Sequence, residues 1–111
     1  MNAFFSERAR AHLEDIAAWY EEQRPGEGGD FKAALLSCVE LFALFPAMHP
    51  LYHGRVRRAL LSSHPYFVYY LVERDHVEVL AVIHQSRRPD AWRVRDAERY
   101  SMPRVGTHRL G

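Results

Sequence analysis

The 111-residue chain is short of several things, and each shortage narrows what it can be. It has one cysteine, Cys38, so no internal disulfide can staple it and nothing calls for an oxidising compartment. It has one lysine, Lys32, against fourteen arginines, so its cationic chemistry is almost entirely guanidinium chemistry. No apolar run approaches the roughly 18 residues that a membrane span needs. The first residues lack the basic start and long apolar stretch of a signal peptide. There is no internal repeat and no low-complexity segment. Gly26, Gly28 and Gly29 follow no strand and so form no phosphate-cradling loop. The expectation is a small cytoplasmic protein with no membrane segment.

What is present fits one folded domain. Hydrophobic residues make up 48% and charged residues 26%, which excludes disorder of the whole chain. The net charge of +1 is a cancellation. Residues 1–40 carry a net −4 and residues 41–83 a net +1, while residues 84–111 carry a net +4. A basic last quarter suggests an anionic partner for that part of the chain, although a solvated tail has the same composition.

Two helices are expected first. Ala9, Leu13, Ile16, Ala17 and Tyr20 recur at helical spacing from Ser6, a suitable N-cap, to about Gln23. Arg24-Pro25-Gly26 then breaks the pattern. Asp30 can cap a second helix reaching about Phe45, with Phe31, Leu35, Cys38, Phe42 and Phe45 along one face. Leu36, Val39, Leu41 and Leu44 add apolar positions around it, so this helix reads as buried on most sides. Cys38 then belongs to packing rather than nucleophilic chemistry.

A loop over residues 46–54 leads to three strand signals, Arg55–Leu61, Tyr66–Val72 and Val77–His84. Their short connections predict an antiparallel meander. Simple alternation puts Val77, Val79, Ala81 and Ile83 on one face of the last strand and Glu78, Leu80, Val82 and His84 on the other. Both faces of the sheet are therefore apolar, whereas two helices can cover only one. The second face needs a cover: a homodimer mate, the C-terminal segment or a separate protein. Pro89–Tyr100 can form a short helix, and residues 101–111 read as a tail. The fold class is thus α+β, a helical hairpin packed on a small antiparallel sheet, with a domain over 1–100.

This order of elements resembles the RelE/ParE toxin superfamily of type II toxin–antitoxin systems, and its ParE-like branch in particular. The matching stretches are Val56-Arg57-Arg58-Ala59-Leu60-Leu61, Pro65-Tyr66-Phe67-Val68-Tyr69-Tyr70 and Val79-Leu80-Ala81-Val82-Ile83-His84, followed by Arg87-Arg88-Pro89-Asp90 and Trp92. The resemblance adds a short first strand near Phe4 and implies a toxin silenced by a cognate antitoxin wrapped over its helices and sheet. ParE-like members block DNA gyrase; RelE-like members cut mRNA in the ribosome with lysines, arginines and a tyrosine. This chain departs from the RelE set, with no lysine on the sheet, Phe67 and Ser86 at arginine positions and Trp92 at the tyrosine. An inhibitory binder of gyrase is therefore expected rather than an enzyme. A ribosome-dependent mRNA endonuclease and a non-toxic binding module on the same fold are the alternatives.

Candidate site residues follow from these readings. Metal-free RNA cleavage needs a base, cations for the phosphate and an acid. His64 or His84 would be the base, Arg58 or Arg87 the phosphate clamp, and Tyr66 would lie beside them. For target or antitoxin binding the candidates are Arg58, Leu80, Val82, His84, Arg87, Arg88 and Trp92. No cofactor is implied. His49 and His53 lie four apart but flank Pro50, and no cysteine pair or His-Glu-x-x-His motif accompanies them, so no metal site is expected.

Overall fold

A computed structural model describes residues 1–93. The elements in chain order are β1 (Asn2–Phe5), α1 (Glu7–Gln23), α2 (Glu27–Leu44), β2 (Leu51–His53), β3 (Val56–Leu60), β4 (Tyr66–Val72) and β5 (His76–His84). The two helices pack on one face of a five-stranded mixed sheet of order β1-β5-β4-β3-β2. The β3–β4–β5 meander is antiparallel, as its short connections predict, and β1 joins β5 in parallel with Asn2 opposite His76. The short strand expected at Phe4 is present. β2, three residues within the expected loop, adds the other edge.

Ser6 caps α1: its hydroxyl accepts from the Ala9 N–H at 3.0 Å, satisfying one of the helix's orphan donors. α2 begins at Glu27, three residues before the expected Asp30 cap, because its cap comes from another helix. The Glu21 carboxylate on α1 accepts from the backbone N–H of Gly26 and of Gly28, each at 3.0 Å. Gly26 makes the turn with φ of 94°, a conformation that suits glycine.

The main core lies between the hairpin and the sheet, with Phe31, Leu35 and Phe42 of α2 against Val68, Tyr70, Val79 and Val82. Phe42 stacks on Tyr70 with ring centroids 3.8 Å apart. The expectation that α2 is buried on most sides is corrected. Leu36, Leu41 and Leu44 are 48, 46 and 69% exposed, and Phe45 is 59% exposed. In this two-layer arrangement nothing among the described residues lies outside the hairpin, so the outer half of α2 is exposed there. The sheet's far face is covered in part by the chain itself, through Trp92. The expected helix over Pro89–Tyr100 appears as turns through Arg93; its remainder and the tail 101–111 lie outside the described residues.

Candidate functional site

The register of β4 against β5 decides which side chains share a surface. Tyr70 pairs with Val79 and Tyr69 with Ala81, so Leu80 is an extra residue and β5 is bulged there. Beyond a bulge the alternation changes sides. Val82 therefore packs into the helix-side core while Leu80, Ala81 and Ile83 pack into the far face. Simple alternation had Leu80 and Val82 on one surface and Val79, Ala81 and Ile83 on the other, and both groupings are corrected. The backbone groups that the bulge takes from the ladder are bound from α1 and its cap. The Leu80 carbonyl accepts from the Ser6 hydroxyl at 3.2 Å, and the Val82 N–H donates to His12 Nδ1 at 3.0 Å. Burial, reinforced by Arg8 and Arg87 and opposed by Asp15, lowers the His12 pKa from 6.5 to about 4. His12 is thus a neutral acceptor at pH 7.

At the helix-side end of the meander the structure gathers His64, Tyr66 and His84, as strand direction suggests. Tyr66 meets the His84 ring edge-on at 5.1 Å, and Tyr20 of α1 meets His64 at 5.1 Å. His84 Nδ1 accepts from the Ser86 N–H at 3.0 Å, which leaves the neutral ring's proton on Nε2. His64 Nδ1 lies 2.7 Å from the Ser63 hydroxyl. Burial, with Tyr20 beside it, pushes the Tyr66 phenol up.

Arg58 is not with them. It pairs with Tyr69 across β3–β4 and so lies on the far face, its guanidinium between the rings of Tyr52 (4.0 Å) and Phe67 (3.9 Å). The sheet separates Arg58 from both histidines, and one phosphate cannot meet Arg58 and either imidazole together. Arg87 stands in the turn after β5, where its N–H donates to the His84 carbonyl at 3.0 Å and its charge acts on Arg8 and His12.

Trp92 is 1% exposed on the far face and stacks on Tyr69 at 5.7 Å. The Tyr52 hydroxyl donates to the Pro89 carbonyl at 2.9 Å. The Arg8 guanidinium donates to the carbonyls of Trp92 and, at 2.9 Å, of Ala91. These bonds fix residues 88–93 against the sheet. Arg8, His12 and Tyr52 escaped sequence reading because none carries a motif; their partners are backbone atoms distant in the chain. His49 and His53 diverge, His49 packing beside Phe42 and Tyr70 and His53 beside Trp92.

Two surface features remain. An apolar groove of about 490 Å³ lies between the β1 edge and α2, lined by Met1, Ala3, Phe5, Leu36 and Leu44 among others. A polar cleft of about 440 Å³ is formed by Arg87, Arg88, Asp90, Ala91 and Arg93. Residues 3–89 match the family described as the ParE toxin of the type II toxin-antitoxin system, parDE.

The chain belongs to the ParE toxin family.

A solved structure titled as a chromosomal ParDE toxin-antitoxin system from P. aeruginosa superposes with a TM-score of 0.66 at 18% identity, covering 76% of this chain and 95% of that one. At that identity the likeness shows a shared ParE-type fold. No curated protein matches in sequence. Two distinct surfaces thus flank β5, an exposed apolar side of α2 with its groove toward the start of the strand and an arginine cleft after its end.

Proposed function

We propose that this chain is the toxin of a type II toxin–antitoxin pair, that it acts in the cytoplasm by binding DNA gyrase, and that a cognate antitoxin silences it. Family membership over residues 3–89 carries this reading. The exposed leucines of α2 and the groove beside β1 supply a contiguous apolar surface for the antitoxin. Separation of Arg58 from His64 and His84 favours an inhibitory binder over a nuclease. The endonuclease reading keeps the His64–Tyr66–His84 cluster and Arg87, the alternative phosphate clamp, in the turn beside His84.

Induction of the chain with and without the protein encoded by the adjacent reading frame tests the proposal. Growth arrest, relieved by that protein, is expected together with loss of supercoiling by purified gyrase and continued translation. An arrest that spares gyrase and stops translation, abolished by His84→Ala, would replace this reading with ribosome-dependent cleavage. Normal growth would make the chain a non-toxic binding module.

A further inference from the structure

The arginine cleft after β5 is not explained by folding. Its backbone is tied down: the Ala91 N–H donates to the Arg88 carbonyl and the Arg93 N–H to the Asp90 carbonyl, each at 2.9 Å, while Arg8 and Tyr52 hold the same segment by its carbonyls. Arg87 is exposed, and among the described residues no carboxylate pairs with it. It lies close enough to Arg8 to lower that group's pKa, second only to burial. Arg88 is 82% exposed in its side chain and donates to Asp90 at 3.2 Å, an open ion pair of the kind that contributes little and exchanges readily. Among the described residues, guanidiniums thus line one cleft in which Asp90 supplies the carboxylate.

We infer that this cleft binds the carboxylates of an acidic segment in a partner protein. Asp90 shows the chemistry in place, since its carboxylate already sits on Arg88 at the cleft wall. An incoming carboxylate finds the planar fork of Arg87 open and can displace Asp90 from Arg88, and each arginine suits two-point recognition. Nucleic acid fits the cleft less well. Bases need a stacking platform, and the rings beside the cleft are engaged: Trp92 is buried on Tyr69, and Tyr52 lies under Arg58. A phosphate backbone is held by several unopposed cations in a row, whereas Asp90 stands within this group. The cleft follows His84, while the apolar groove begins near Met1 and Asn2, which pairs with His76 at the start of β5. The groove reaches Phe5, which pairs with Val79, and the five residues of extended strand from there to His84 place the two surfaces roughly 17 Å apart, so they can take separate partners.

The inference stands apart from the toxin reading, since direct binding tests one and growth assays the other. Fluorescence anisotropy of the full chain with a labelled hexaglutamate peptide, and in parallel with a labelled single-stranded oligothymidine, measures it. The double variant Arg87→Glu/Arg88→Glu should weaken peptide binding about tenfold or more, and added salt should weaken the wild type. Asp90→Asn should tighten it, about threefold, by releasing Arg88. Arg74→Glu, an exposed change in the turn before β5, should leave it unchanged. Peptide binding that the double variant does not alter would overturn the inference. So would tighter binding of the oligothymidine, lost in the same variant. Thermal melts confirm folding, and should the double variant melt early, Arg87→Gln and Arg88→Gln singly carry the comparison.

Discussion

His12 shows how much one side chain can be asked to do at a strand irregularity. The bulge at Leu80 turns the Val82 N–H out of the ladder toward α1, and an imidazole nitrogen accepts it. Only the neutral ring can do so. Its folded pKa of about 4 lies below the ordinary 6.5, so between those values the unfolded chain binds the extra proton and the native state does not. Stability should therefore fall as pH drops from about 6.5 to about 4, and flatten below. Allowing for solvent screening of a half-buried group, the loss should be about 1–2 kcal/mol. Urea unfolding at pH 7.5, 5.5 and 4.0 checks this against His12→Gln, in which this part of the pH dependence should disappear. Nothing in the sequence separates His12 from the six other histidines. Its role depends on a bulge that no alternation pattern displays.

At the scale of elements, contacts between helices and across the sheet replace the local signals that sequence reading relies on. α1 was legible because its cap is local, Ser6 bonding three residues ahead. α2 was placed late because Glu21 caps it from α1. β4 runs over Tyr66–Val72 as the pattern predicts, whereas β2 was missed because Leu51–His53 is short and follows Pro50. The hairpin's tightest approach is at Gly28, where a Cβ would lie 2.6 Å from the Ala17 carbonyl oxygen. Gly28→Ala must push the helices apart and should cost about 1–3 kcal/mol, read as a lowered melting temperature. Gly29, with open space at its Cβ, tolerates alanine and provides the control. The segment after β5 is held chiefly by Trp92. Trp92→Ala should cost about 3–5 kcal/mol and expose the rings of Tyr69 and Tyr52 to solvent, measured by chemical denaturation and near-ultraviolet circular dichroism.

Over the whole molecule, the apolar excess visible in the sequence was real but lay partly elsewhere. The far face of the sheet, expected to need a homodimer mate, the C-terminal segment or a separate protein as its cover, is partly closed by Trp92 and Ala91 of the C-terminal segment. The surplus emerges on the outer side of α2, where periodicity could not distinguish a helix buried all round from one with an apolar half in water. The charge asymmetry was likewise legible, and the fold concentrates part of it into one cleft. Family membership came from the order of motifs. The division of candidate residues between two sheet faces came only with the register.

The parallel pairing of β1 with β5 has a consequence for synthesis. β1 is made before its neighbour and finds it only when His76 to Val79 have followed it. Until then Phe4 and Phe5 have no sheet to join, and the Val79 carbonyl that receives the Ser6 N–H does not yet exist. A contact spanning so much of the chain is slow to close and rewards nothing beforehand. The finished sheet, and with it the groove beside β1, therefore arises only after β5 has emerged. Any protein that recognises the folded groove must wait until β5 has been made.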